Sequence, residues 1–368
     1  MGKNEILMWK QCRAFALELN SSENKEKITS VLYGERLYVG CGDGRVECYG
    51  DEKLYSFQGF ELEFDYLESC DVAEKVLAIE RFDDGGLNEF LVVGNERNLK
   101  IWKIRNRGST KEILEGRCSE EYEYVCVKEC KNVHPCILNS LSFNNDKQFL
   151  LSSDYLKINL WKPEKIDGCF TIVDVKPHKY SDLMFVINST KFSKEMNMVF
   201  GYSTSSGEIH INDLRLASKS LEALTIDGVD VDGIEGAVRS ISDFQFVDSN
   251  LILARSLNSV TLYDQRNAKN CIFTTMLCDD MDEINAVYES DAVYARFRIS
   301  CSNNYGFTGG FKDVVHVVNL ADGSKEDFKV PCETKNVEKK DKLKLVSSSG
   351  DRFVVACEDR LLEYQRVW

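Results

Sequence analysis

The chain has 368 residues, with 60 acidic against 46 basic side chains and a formal net charge of -14. That balance excludes a general nucleic-acid binder, since phosphate contacts need clustered Lys and Arg, and 43% hydrophobic residues exclude a disordered chain. No run of about 18 apolar residues can span a membrane, and the N-terminus lacks the apolar stretch of a secretory signal, so the reading is cytoplasmic, with the nucleus as the second compartment.

In chain order, the run from Ile6 to Leu17 comes first and precedes a strand expected over Ile28 to Tyr33. A unit then repeats seven times: a short apolar strand, a polar or Gly turn, and a second strand ending in an aromatic, polar or aliphatic residue. The first strands begin at Leu37, Phe90, Phe149, Met198, Leu251, Gly306 and Phe353, and their partners end at Tyr49, Trp102, Trp161, Asn212, Tyr263, Val318 and Tyr364. Those endpoints lie 46 to 59 residues apart. Turn formers such as Gly42-Asp43-Gly44, Ser205-Ser206-Gly207 and Glu358-Asp359-Arg360 separate the strands. Upstream of each pair lies a further alternating strand, as in Ile241 to Phe246.

With only four prolines and no stretch of 3.6-residue period, helices interleaved with these strands are disfavoured. Short strands at this period predict one all-β domain over residues 1–368, a seven-bladed WD40-type β-propeller with four-stranded blades. The last blade needs a strand that the four residues after Tyr364 cannot supply. The Ile6–Leu17 run is therefore expected to complete it and remove an open edge.

The chemistry-bearing residues are sparse. Four histidines serve the chain, and His134, His210 and His316 read as structural or surface groups. No G-x-S-x-G, H-E-x-x-H or P-loop pattern occurs. Gly40 to Gly44 falls on a strand-to-strand turn, whereas a phosphate cradle needs a following helix. Two acidic clusters, Asp279-Asp280-Asp282-Glu283 and Asp227-Asp230-Asp232-Glu235, miss the calcium-loop register and read as solvated loops or a negative rim. The Lys335–Lys344 stretch reads as an inter-blade loop. Fourteen cysteines contain no C-x-x-C pair and read as reduced, mostly packed thiols. Neither a metal nor a cofactor is expected, and the sequons at Asn20 and Asn188 carry no meaning in this setting.

Three segments carry a family resemblance. They are Glu63-Phe64-Asp65-Tyr66-Leu67; the run Asn139 to Phe143 continuing through Ile158-Asn159-Leu160-Trp161 to Val173-Asp174-Val175-Lys176-Pro177; and Ser240 to Phe244, after Gly207 to Arg215. In order and blade position they resemble the B-type (55 kDa class) WD-repeat regulatory subunit of protein phosphatase type 2A. The resemblance implies a non-enzymatic subunit that joins a helical-repeat scaffold to a catalytic subunit and presents phosphoprotein substrates with basic segments. It implies substrate contacts at Asp174, Ile211, Glu61, Glu63 and Asp65. The family's basic position on the first-blade turn corresponds to Gly42. The family's long hairpin arm corresponds to residues 105–133, a much shorter insertion whose core, Glu121 to Val127, is expected to form a stubby hairpin. Scaffold docking then falls to Tyr122, Tyr124, Val125 and Val127. A generic WD-repeat adaptor of another assembly is the alternative, and a propeller hydrolase needs convergent polar groups that the sequence does not display.

Overall fold

A computed structural model describes residues 8–16, 28–66, 69–83, 88–107, 122–163, 168–216, 224–227, 239–267, 270–278, 295–331, 345–357 and 360–367. Strand β1 is Met8–Ala16. Blade one holds β2 (Ile28–Tyr33), β3 (Leu37–Cys41), β4 (Arg45–Tyr49) and β5 (Lys53–Gln58), followed by a small hairpin, β6 (Glu63–Asp65) and β7 (Cys70–Val72). Blade two holds β8 (Ala78–Asp83), β9 (Asn88–Gly94), β10 (Leu99–Asn106) and β11 (Tyr122–Cys130). Blade three holds β12 (Ser140–Phe143), β13 (Leu150–Ser153), β14 (Lys157–Trp161) and β15 (Cys169–Asp174). Blade four holds β16 (Ile187–Phe192), β17 (Val199–Thr204), β18 (Glu208–Asp213) and β19 (Leu224–Asp227). Blade five holds β20 (Asp243–Phe246), β21 (Leu251–Arg255), β22 (Ser259–Asp264) and β23 (Cys271–Met276). Blade six holds β24 (Ile299–Ser302), β25 (Tyr305–Gly309), β26 (Val314–Asn319) and β27 (Lys325–Lys329). Blade seven holds β28 (Val346–Ser349), β29 (Arg352–Cys357) and β30 (Arg360–Val367) together with β1.

Apart from the two-stranded β6–β7 hairpin, each sheet is a four-stranded antiparallel blade, and the fold is a seven-bladed β-propeller. The chain divides into two compact units. One comprises Asn24–Leu32 and Arg36–Phe200; the other comprises Met1–Glu23, Tyr33–Glu35 and Gly201–Trp368.

The repeat pattern works because the strands of a blade face different surroundings. Second strands such as β13, β17 and β25 are buried at every residue, so they read as unbroken apolar or small-residue runs. Outermost strands such as β15 and β27 are exposed or half-buried throughout. Some first strands, such as β12 and β24, carry small hydroxyl side chains that bond the neighbouring blade. In the first unit, Ser140 Oγ accepts the Thr190 amide at 2.9 Å and Ser142 Oγ accepts that of Phe192 at 3.0 Å. In the second, Ser300 Oγ accepts the Ser348 amide at 3.0 Å. Gly44 has φ +85° in the β3–β4 turn, with its amide donating to Cys41 O at 3.2 Å; the turn read over Gly40–Gly44 is confined to residues 42–44, since Gly40 and Cys41 still belong to β3.

The N-terminal run does complete the last blade. β1 pairs antiparallel with β30 from Met8↔Val367 to Ala16↔Arg360, with a bulge between Gln11 and Arg13. Trp9 anchors it, its ring edge-on to Phe353 at 5.1 Å and to Phe307 at 5.4 Å.

The arm expectation is corrected. Tyr122 to Val127 is not a separate hairpin: it belongs to β11, which pairs with β10 from Leu99↔Cys130 to Asn106↔Tyr122 as the outermost strand of blade two. Tyr124 stacks on Phe57 at 5.1 Å and Tyr122 lies 4.8 Å from Tyr55, so both tyrosines pack against the core of blade one. Among the four docking candidates only Val125 and Val127 are exposed, at 46% and 54%. Glu121 lies outside the described residues, as do Asn20, the 279–283 and 230–235 acidic clusters and the Lys335–Lys344 stretch. Asn188 is buried in β16.

Candidate functional site

In the first unit a cleft of about 400 Å³ opens between the β6–β7 hairpin, the loop after β11 and the outer half of blade three. Asp65, Arg97, Asn132, Val133, His134, Pro135, Lys157, Asn159, Cys169 and Thr171 line it. The loop is held by its backbone: the Val133 amide donates to Arg97 O at 2.9 Å and the Asn132 amide to Asn98 Oδ1 at 2.9 Å. On the facing wall, Thr171 Oγ1 donates to Asn159 Oδ1 at 2.8 Å.

Under the cleft lies a buried relay. Trp161 Nε1 donates to Ser152 Oγ at 2.8 Å, Ser152 Oγ and His134 Nε2 are 2.7 Å apart, and His134 Nδ1 is 3.0 Å from Asp154 Oδ2. One proton arrangement satisfies every group: the serine hydroxyl donates to the imidazole, whose Nδ1–H donates to the carboxylate. Asp154 also accepts the Leu156 and Lys157 amides at 2.6 and 2.7 Å, fixing the β13–β14 turn. Burial pushes the Asp154 carboxyl up, but the bonds from His134 and the two amides outweigh it and hold the group below its ordinary value. Ser, His and Asp thus stand in the order of a hydrolytic triad. However, Ser152 and Asp154 are 0% exposed and His134 1%, and the serine oxygen already accepts from Trp161, so no substrate reaches it. The relay ties loop, turn and strand together, which is the structural role read for His134. His210 and His316 are likewise buried in strands, beside Glu208 at 3.1 Å and Asp327 at 2.7 Å.

Of the residues that the resemblance singled out for substrate contact, Asp65 alone lines the cleft. Asp174, at the end of β15, is exposed; its carboxylate meets Lys157 Nζ at 3.2 Å and accepts the Lys176 amide at 3.0 Å. It is thus a turn residue and an accessible carboxylate at once. Asp65 faces Arg97 at 3.7 Å and Glu63 meets Lys131 Nζ at 3.0 Å. Glu61 is exposed. Ile211, by contrast, is 4% exposed within β18, so its side chain is core and offers no apolar contact at the surface.

Sequence reading missed two features here. Arg97, Lys131 and Lys157 partly neutralise the acidic residues, so this face carries both signs of charge. The second feature is the alternation Glu61-Leu62-Glu63-Phe64-Asp65-Tyr66. Its odd members Glu63 and Asp65 turn to cations, while Leu62, Phe64 and Tyr66 are 62%, 48% and 85% exposed. A period of two was the available signal.

Burial raises the Cys126, Cys130, Cys136 and Cys169 thiols above their ordinary value, which suppresses the nucleophilic thiolate. Cys41, Cys48, Cys301 and Cys357 are buried, whereas Cys12, Cys126 and Cys169 are exposed, and all twelve described cysteines are free. Among the described residues no three His, Cys, Asp or Glu side chains converge as a metal site. No known family model matches the chain.

Proposed function

We propose that this propeller is a non-catalytic targeting subunit of a type 2A serine/threonine protein phosphatase, binding a helical-repeat scaffold and presenting phosphoproteins to the catalytic subunit, in the cytoplasm and also the nucleus. A seven-bladed propeller fits an adaptor in general: rigid blades carry binding loops and need no chemistry of their own. The observation that supports the finer reading best is that two of the three resembling segments reach one cleft. Asp65 of the first segment and Asn159 of the second line it, and Asp174, also of the second, is ion-paired to Lys157 of its wall. Held there, a substrate gains effective concentration at the partner's active site, worth about 10²–10⁴ in avidity.

Reconstitution with scaffold and catalytic subunits on a sizing column tests assembly; persistent separation at physiological salt refutes the reading. If assembly holds, the Asp174→Lys trimer should dephosphorylate a basic phosphoprotein more slowly than Asp174→Ala, with unchanged circular dichroism. Equal rates over several basic substrates return Asp174 to its turn role alone. The second reading, an adaptor of another assembly, is favoured by one observation: β11 is spent on completing blade two. Pull-down mass spectrometry without scaffold or phosphatase peptides would select it.

A further inference from the structure

The β6–β7 hairpin presents one apolar face to solvent. Register places Phe64 opposite Asp71, and cross-strand partners share a face of a sheet. Leu62, Phe64 and Tyr66 follow at period two, so this face carries three large apolar side chains with one carboxylate among them. Phe64 and Tyr66 meet edge-on at 5.1 Å, with no other ring contact among the described residues. Glu63 and Asp65 on the opposite face are already engaged by Lys131 and Arg97. Asp71 is exposed and pairs with no cation among the described residues.

A hairpin this small lacks an energetic reason to expose about half or more of three large apolar side chains, since exposure forfeits their burial. Within a chain of net charge -14, the Asp71 carboxylate on this face sets the sign of what fits. We propose that this hairpin face is a docking ridge for a segment of a partner protein that combines apolar anchors with Lys or Arg. The aromatic pair supplies the contact area, and Asp71 meets a flanking cation. A nucleic acid is repelled by the same carboxylate and by the net charge of the chain. This deepens the targeting reading by naming what a recruited protein must carry, and it rests on that reading for its biological setting alone.

The test is selection of a phage-displayed random 16-residue peptide library on the full chain, followed by binding of fluorescein-labelled winners. Clones dependent on the ridge should pair Leu, Phe or Trp with Lys or Arg. Phe64→Ala with Tyr66→Ala should weaken them by roughly 30-fold, the loss typical of aromatic hot spots. Asp71→Lys should weaken them less and flatten the salt dependence. All substituted groups are exposed, so the melting temperatures should match the parent, and the Asp71 variant keeps the test open if the double variant does not fold. Winners that bind the variants as tightly as the parent, or that are acidic, overturn the proposal. Sizing-column assembly with scaffold and catalytic subunits is read separately. Failure there with ridge-dependent peptides intact refutes the phosphatase reading alone; assembly with no ridge-dependent peptide refutes the ridge alone.

Discussion

Removing the Trp9 side chain should loosen the last blade selectively. In Trp9→Ala the indole leaves its edge contacts with Phe353, Phe307 and Tyr305, at centroid distances of 5.1, 5.4 and 6.2 Å. A fully buried Trp→Ala costs about 3–5 kcal/mol; Trp9 is half-buried, which scales the loss to about 2–3 kcal/mol. For a chain of 368 residues, an unfolding entropy of about 2.1 cal/mol/K per residue makes that only about 3 °C of melting temperature. Hydrogen exchange is the sharper assay, because β1 can detach from β30 without global unfolding. At 1.4 kcal/mol per factor of ten, β30 amides should lose roughly 30- to 140-fold protection while those of β13 and β14 keep theirs. Trp9→Phe should lose far less, since the indole N–H has no hydrogen-bond partner among the described residues. Parent-like exchange in β30 of Trp9→Ala would refute the claim that the aromatic anchor holds the closing strand.

His134→Ala leaves a buried carboxylate and a buried hydroxyl short of partners and should cost about 3–5 kcal/mol, measured by urea unfolding. Because the folded Asp154 pKa is depressed, its contribution is full above about pH 4 and is lost as pH falls through the lower folded value; the gap between parent and His134→Ala should therefore narrow in acid melts. Gly44→Ala sets an alanine at φ +85° with its Cβ driven into the Phe60 carbonyl, and should destabilise by at least about 1–2 kcal/mol, whereas Gly34→Ala, with nothing within 4 Å, should be near silent in the same thermal scan. Tyr124→Asp should lower the melting temperature by breaking its stack on Phe57, while Val125→Asp with Val127→Asp should not. Loss of trimer assembly in the valine variant alone would place scaffold contact on this exposed stretch.

What the sequence disclosed, and what it withheld, follows from how each feature is encoded. Blade number and the closing strand were legible because strand, turn and strand recur with their own period, and because the C-terminal strand needed a partner only Ile6–Leu17 was left to provide. The relay was not read, although His134, Ser152, Asp154 and Trp161 were all in view, because its members meet across a loop, a turn and two strands. Ile211 was misplaced for a different reason. An apolar residue in a strand flanked by polar ones does not reveal which side faces the next blade. Tyr122 and Tyr124 alternate as any half-buried strand does, so pattern alone could not separate a projecting arm from a blade's own edge.

The pairing of β1 with β30 also has a temporal side. The Cys12 thiol and the Glu363 carbonyl that accepts its hydrogen bond at 3.3 Å stand 351 residues apart. At about 5–20 residues per second, a ribosome needs roughly 20 to 70 s to travel between them. Through that interval the first strand emerges, waits and remains unpaired while six other blades are being assembled. Its apolar and aromatic side chains are then open to any holdase that surveys nascent chains. A message cut short before Arg360 yields a product whose earliest strand never finds its mate, and so carries on its surface a durable mark of being unfinished.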